Sequence, residues 1–433
     1  MSLPDCIEIV PPTSPALARI DVPGSKSITN RALILAALSP EPVTLKAALW
    51  SEDTQVMIEA LRTLGFEAGV EPEASDPCNR TLRIRGAGGR IPKAGSPDRP
   101  IELFVGNAGT AARFLAALVC LGDGCYRLDG VPRMRQRPQG ALFQALRALG
   151  YTVDAPGDRL PAIIHGKGPI PAACTVSVLE SSQFASALIL SAAHGGWLVN
   201  VESGNSEELP YVEMTRQLVA AFPANGGEFV IEPDASSGSY FWGAGWLLDE
   251  ARDARRITRG SPLVGVNHWP TSGWQVDARF PEYLSFPSVV SREKDLGDSI
   301  MTAIALAPFA PRETRFTDLG RLRVQECERV QALRCELLKC GARVVEDGDT
   351  LTVSPGPLHG AVIETYNDHR MAMCLATLGL KVPGIKIKNP ACVKKTFPNF
   401  FQKLSAPPVG GLGAVVLNGT TGQPLAMGDL LAH

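Results

Sequence analysis

Pro23-Gly24-Ser25-Lys26-Ser27-Ile28-Thr29-Asn30-Arg31 runs directly into Ala32-Leu33-Ile34-Leu35-Ala36-Ala37-Leu38. Pro-Gly ends an extended segment, a polar cluster with two cations follows, and the small and aliphatic run behind it has no polar face, so it reads as a buried helix. Such a start aims unpaired backbone N–H groups, hydroxyls, Lys26 and Arg31 at one point, which is what an anionic ligand needs. An ordinary helix cap with surface cations fits the same residues, and the stretch alone leaves both readings open.

The same order of events recurs along the chain. Gly106-Asn107-Ala108-Gly109-Thr110 leads into residues 111–121, Glu180-Ser181-Ser182-Gln183 into 184–193, and Asp234-Ala235-Ser236-Ser237 into 238–248. Leu296-Gly297-Asp298-Ser299 leads into 300–307, and Asn367-Asp368-His369-Arg370 into 371–380. Ser, Asp and Asn cap helix N-termini, and the runs behind them are apolar on all sides, which predicts buried helices. Amphipathic helices are predicted at 51–64, 139–149 and 324–338. In these, Val56, Ala60, Leu61 and Leu64, then Leu142, Ala145, Leu146 and Leu149, then Val330, Leu333 and Leu337 share a face. Each ends near a glycine: Gly65, Gly150, Gly341. Strand pairs follow, as at 342–346 and 350–354 around Asp347-Gly348-Asp349.

Six such units, at intervals of about 55–80 residues, predict an α/β repeat architecture of two lobes with three units each. The fourth is expected to be abbreviated, because 283–298 leaves no room for a hairpin. Residues 406–433, rich in Gly and Pro, match no unit and read as a loosely held flexible tail without a role.

Composition narrows the function. The 433 residues are 45% hydrophobic and 20% charged, an ordinary globular balance. The net charge is −2 with no basic run, which argues against nucleic acid. The N-terminus lacks a signal-peptide pattern and no apolar run reaches membrane-spanning length, so a cytoplasmic protein without a membrane partner is expected. Ten cysteines without a CxxC pair and six histidines without an HxxxH pair predict reduced thiols, no metal and no cofactor. Gly24-Ser25-Lys26-Ser27 lacks the Gly-Lys pair of a phosphate loop, no GxGxxG opens a helix after a strand, and no GxSxG elbow is present.

If each lobe turns three polar helix starts toward a shared cleft, their dipoles add to a positive field without net charge on the protein. Cations recur beside those starts: Lys26, Arg31, Arg113, the group Arg133, Arg135 and Arg137, then Arg321, Arg323, Arg329, Arg370, Lys394 and Lys395. Each alone reads as a solvated surface charge. The set, placed beside glycine turns and helix starts, favours a phosphate and carboxylate site. Two carboxylates stand among them. Asp298 is expected to cap a buried helix, and Glu326 to start an amphipathic one; a plain cap and a surface ion pair are the bland alternatives to an acid–base pair.

Taken together, PGSKSITNRALILAAL, LFVGNAGTAARFLAAL, DGVPRMRQRP, SSQF, PDASSGSYF, GDSIMTAIALA, RVQECERVQAL, YNDHRMAMCLA and KKTFPNFF resemble the 5-enolpyruvylshikimate-3-phosphate synthases, within the enolpyruvyl transferase family. They stand in family order from residue 23 to about 401. The resemblance implies an inside-out α/β barrel in each lobe, three βα repeats around buried parallel helices. It puts residues 1–20 and 235–405 in a C-terminal lobe and 21–234 in an N-terminal lobe. It implies a monomer that moves the enolpyruvyl group of phosphoenolpyruvate onto the 5-hydroxyl of shikimate 3-phosphate, in aromatic amino acid biosynthesis. Asp298 is then the base, Glu326 the acid, and Lys26 assists proton transfer. Phosphoenolpyruvate would meet Lys26, Gly109, Arg137, Gln183, Arg329, Arg370 and Lys395. Shikimate 3-phosphate would meet Ser27, Arg31, Ser181, Ser182, Gln183, Asp298 and Gln325.

Three positions depart from the family pattern. Gln325 stands where Lys is usual, Arg321 where Asn is common, and Glu208 where a serine precedes Pro-Tyr. All three fall on the acceptor side, while the phosphoenolpyruvate set is intact. Enolpyruvyl transfer to a different phosphorylated acceptor, and a non-catalytic anion-binding paralogue, are the alternatives.

Overall fold

The computed structural model describes residues 3–432 apart from 14–16, 74–75, 203–207 and 250–262. The chain divides into two compact units, one of Gly24–Glu232 and one of Met1–Pro23 with Pro233–His433.

The second repeat, in the first of these units, shows the pattern complete. Strand Ile101–Phe104 leads into the buried helix Gly109–Leu118, and the chain returns as Asp123–Asp129, parallel to the first strand with Ile101 opposite Tyr126. The amphipathic helix Gly140–Ala148 follows. A hairpin of Thr152–Asp154 and Ala162–Lys167 then completes a four-stranded sheet, its second strand antiparallel to Asp123–Asp129. The fifth repeat, in the other unit, has the same order. It comprises strand Val289–Ser291, helix Ile300–Leu306, strand Thr314–Thr317, helix Arg329–Lys339, and the hairpin Arg343–Asp347 with Thr350–Ser354.

The first and sixth repeats borrow strands from distant sequence. Gly227–Val230 is the parallel partner of Val43–Leu49, so the last strand of that unit joins its first sheet. In the sixth, Val362–Ile363 and Ile385–Lys388 flank the helix His369–Leu378, and the place of the hairpin is taken by Cys6–Val10 and Val415–Asn418. Residues 406–432 are therefore not a loose tail. Val415–Asn418 pairs antiparallel with Cys6–Val10, and Leu412, Ala414, Val416, Leu430 and Ala432 are buried. The Gly and Pro content serves turns rather than disorder, and the strand was hidden because its partner lies at the other end of the chain.

The third and fourth repeats are both reduced to a parallel pair. Ala172–Ser177 with Trp197–Glu202 spans helix Ser182–Gly195, and Ala18–Ile20 with Val264–Val266 accompanies helix Ala235–Leu248. Only the fourth was expected to be short. In the third, the helix Leu209–Ala221 follows and the next strand, Gly227–Val230, leaves for the first sheet.

Within each unit the three buried helices pack on one another. Every residue of Gly109–Leu118 is buried, as are nine of the ten in His369–Leu378. Each fully buried Leu, Ile or Phe contributes about 1.5–3 kcal/mol of transfer free energy. The sheets present one polar face, as the alternating burial of Arg343–Asp347 shows.

Candidate functional site

In the unit Gly24–Glu232, Lys26 is the first residue of the helix Lys26–Leu38. A glycine is needed two residues earlier, because a Cβ at Gly24 would lie 2.0 Å from the Ala47 carbonyl oxygen. Lys26 Nζ sits 3.2 Å from Asp53 Oδ2, in the first turn of helix Glu52–Thr63. The Ser27 carbonyl accepts from Arg31 Nη1 at 3.0 Å. Arg31 is 3% exposed; its Nε donates to Thr215 Oγ1 at 2.7 Å and its Nη2 to Ser186 Oγ at 3.1 Å. Its guanidinium lies 5.3 Å from the centre of the Phe114 ring. Burial pulls its pKa down to about 10, so it stays a cation at neutral pH. Its partners are the hydroxyls of Thr215 and Ser186 and the carbonyls of Ser27 and Tyr211.

Gly109 begins the second buried helix, behind a turn in which Gly106 has φ 52°. A Cβ on Gly109 would meet Arg137 Nη2 at 2.7 Å and Arg113 Nη1 at 2.8 Å. Arg113 Nη1 donates to the Gly109 carbonyl at 3.1 Å, and Arg137 Nη1 to the Asn107 carbonyl at 3.3 Å. Two guanidinium groups thus converge on a residue with no side chain. Of the arginines between 133 and 137, Arg135 is bound bidentately by Asp129 and Arg133 donates to Gln136, so Arg137 is the one that reaches this turn.

Ser181 caps the helix Ser182–Gly195, its Oγ accepting from Gln183 N at 3.3 Å. The Ser182 N–H donates to Glu208 Oε2 at 2.6 Å. A carboxylate at a helix N-terminus is favoured by the helix dipole, which gives the unexpected Glu208 a structural role. The amide oxygens of Gln183 and Asn107 are buried and accept no hydrogen bond among the described residues.

In the other unit, Asp298 is not itself a helix cap. Ser299 is the N-cap of Ile300–Leu306, and Asp298, one residue before it, directs its carboxylate to cations. Its Oδ2 lies 3.1 Å from Arg370 Nε, and its Oδ1 lies 3.3 Å from Arg292 Nη2 and 3.9 Å from Arg329 Nη1. Burial pushes its pKa up, but Arg370, Arg329 and Arg292 together outweigh burial and hold it well below the usual carboxylate range.

Glu326 is likewise outside the helix expected for 324–338. A 3-10 turn, Gly320–Val324, comes first, and the α-helix begins at Arg329 with Glu328 as its cap, accepting from Gln331 N. Glu326 lies in the bend between them. Its Oε1 is 3.0 Å from Lys395 Nζ and its Oε2 is 3.0 Å from Arg329 Nη2. Arg329 is buried; its Nε lies 2.7 Å from Asp368 Oδ2, and its Nη1 donates to Gln325 Oε1. Burial disfavours the Arg329 cation, yet Asp368, Glu326 and Asp298 overcome this and raise its pKa. Ahead of Asp368, Tyr366 and Asn367 both adopt left-handed backbone, with φ of 55° and 54°.

Asp298, Gln325, Glu326, Arg329, Arg370 and Lys395 are thus brought into one linked network within a single unit. Lys26, Gly109, Arg137, Ser27, Arg31, Ser181, Ser182 and Gln183 lie at the starts of the three buried helices of the other, or beside them. Sequence reasoning missed Asp53 and Arg292, and took Asp368 for a cap only. An acidic first helical turn was the signal for Asp53. Arg292, inside Ser291-Arg292-Glu293-Lys294-Asp295, carried none that set it apart from its charged neighbours. Among the described residues no group of His, Cys, Asp and Glu could hold a metal ion, and no helix is long and apolar enough to cross a membrane.

The family pattern described as EPSP synthase (3-phosphoshikimate 1-carboxyvinyltransferase) matches residues 10–225 and 288–404. The chain is 36% identical over 431 residues to a 3-phosphoshikimate 1-carboxyvinyltransferase of Nostoc punctiforme, covering 92% of this chain and 98% of that one. It is 37% identical over 443 residues to the enzyme of the same name from Opitutus terrae, covering 94% and 98%. Its fold is similar to that of an EPSP synthase from Acinetobacter baumannii, with a TM-score of 0.68 at 19% identity, over 95% of this chain and all of that one.

Proposed function

The chain belongs to the EPSP synthase family, and from that membership we propose that it transfers the enolpyruvyl group of phosphoenolpyruvate to the 5-hydroxyl of shikimate 3-phosphate, releasing phosphate. The observation that carries this reading is the pair of carboxylates, Asp298 and Glu326, tied to a shared Arg329 but differently surrounded. Asp298 is held ionised by three arginines, so it can serve as a base only once their hold is relaxed. Glu326 is shared between Lys395 and Arg329.

The two substrates bring roughly four to five negative charges at neutral pH. Phosphoenolpyruvate draws on Arg370, Arg329, Lys395, Lys26 and Arg137, and Gly109 leaves room beside the last. Each contact to the substrate weakens the hold of Arg370 and Arg329 on Asp298, so the basicity of Asp298 rises as the donor binds. Asp298 then takes the 5-hydroxyl proton while that oxygen attacks C2 of phosphoenolpyruvate, and Glu326, entering the step as the carboxylic acid once the donor's anionic groups engage Lys395 and Arg329, protonates the C3 methylene, giving a tetrahedral intermediate. The Glu326 carboxylate then takes a proton back from C3 as the C2–O bond to phosphate breaks, and the leaving phosphate carries off the proton held by Asp298. Ser27, Arg31, Ser181, Ser182, Gln183 and Gln325 hold the acceptor, the Gln183 amide oxygen taking one of its hydroxyl donors. The protein acts on small molecules as a cytoplasmic monomer.

Phosphate release from purified protein given phosphoenolpyruvate with shikimate 3-phosphate tests the reading. Release that requires both substrates is expected. Phosphoenolpyruvate binding without release would redirect the transfer to another phosphorylated acceptor, the reading that Gln325 favours because it carries no charge where Lys is usual.

A further inference from the structure

Asp277 is a buried carboxylate, 4% exposed, with no part in the steps above. It stands in the 3-10 segment Val276–Ser285. Its Oδ1 accepts from Gly297 N at 2.8 Å, Ser299 N at 3.1 Å and Ser299 Oγ at 2.6 Å. Those donors flank Asp298 on both sides. Its Oδ2 accepts from Ser236 Oγ, in the first turn of Ala235–Leu248. Two residues earlier, Gln275 Oε1 accepts from Ala235 N at 3.0 Å and Gln275 Nε2 donates to the Pro233 carbonyl at 2.9 Å. One short segment therefore pins the start of a buried helix and the turn that carries Asp298.

The need for such an anchor follows from the charges. Arg370, Arg292 and Arg329 all pull on the Asp298 carboxylate, so its position depends on how firmly the turn that carries it is held. Asp277 grips the backbone of the same turn. Burial and the nearby Asp298 charge both raise its pKa, so keeping a carboxylate here costs free energy that a simple turn would not demand.

We infer that Asp277 is a positioning residue for the transfer reaction, holding the Gly297–Ser299 backbone so that the Asp298 carboxylate stands where the hydroxyl proton leaves. The inference rests on the function proposed above. Asp277→Ala is expected to lower kcat by about 10²-fold, with both KM values within about threefold of wild type, as for a misplaced base. Asp277→Asn keeps an Oδ1 acceptor and is expected to restore kcat to within about fivefold of wild type. Ser299→Ala, which removes one anchor and leaves the carboxylate, is expected to lower kcat about tenfold and decides the matter if Asp277→Ala does not fold. An unchanged kcat in Ser299→Ala or Asp277→Ala, or an Asn variant no better than Ala, overturns the inference. Crystal structures of the variants give a readout independent of turnover. The Asp298–Arg370 separation, 3.1 Å here, should change in Asp277→Ala, and an unmoved Asp298 refutes the inference. A wild-type protein that releases no phosphate refutes the proposed reaction instead, while the displacement still judges Asp277.

Discussion

Arg329 Nε lies 2.7 Å from Asp368 Oδ2, with the two side chains 1% and 0% exposed. Asp368 also caps the helix His369–Leu378, its Oδ1 accepting from Arg370 N at 2.8 Å, and takes a weak bond from Cys327 Sγ. The buried charge is tolerated because every side of it is used. It also orients Arg329, whose outer nitrogens reach Glu326 and Asp298. Asp368→Ala leaves Arg329 without that partner and should destabilise the fold by about 3–5 kcal/mol, read from the denaturant midpoint. An unshifted midpoint would mean that the pair contributes nothing.

Asp298→Asn should reduce phosphate release by at least about 10³-fold while leaving the circular dichroism spectrum unchanged. The same variant reports on acid stability. The folded pKa of Asp298 lies below its unfolded value, so the unfolded chain takes the proton first as pH falls. Its stabilising contribution is therefore complete above about pH 4 and is lost as pH drops toward the folded value. Asp298→Asn should flatten the decline of stability between about pH 5 and pH 2. Parallel declines in variant and wild type would contradict the arginine-held carboxylate.

Gly109→Ala puts a methyl group 2.7 Å from Arg137 Nη2 and 2.8 Å from Arg113 Nη1, so both guanidinium groups must move. The expected result is a rise of about tenfold in KM for phosphoenolpyruvate with KM for shikimate 3-phosphate unchanged, and a parallel loss of affinity for competitive phosphonate analogues. Equal changes in both KM values would place Gly109 away from the donor.

Removing residues 406–433 strips Val415–Asn418 from Cys6–Val10 and opens a strand edge above Ile7 and Ile9, both fully buried. The truncated chain should aggregate on mild heating and melt at lower temperature than the full chain. Equal melting temperatures would show that the strand is dispensable.

The buried helices were legible because caps, glycines and unbroken apolar runs are local signals, and six copies of one weak pattern reinforce each other. The family and its reaction were legible from the resemblance of whole motifs standing in family order. The strand Val415–Asn418 was not, since pairing with residues at the opposite terminus leaves no periodicity of its own. Nor was the bend at Glu326: an amphipathic stripe runs through 324–338, yet Glu328 caps the helix only four residues in.

From the sequence alone came the α/β repeat and the capped starts of the buried helices, because each depends on neighbours a few positions away, while the candidate donor residues came from the family resemblance. Tertiary structure decided which charges meet. Lys26 finds Asp53, Asp298 finds Arg292 and Arg370, and Arg329 finds Asp368. Those pairings set the protonation of the candidate base, and Coulomb attraction depends on distance in space, which separation along the chain does not encode.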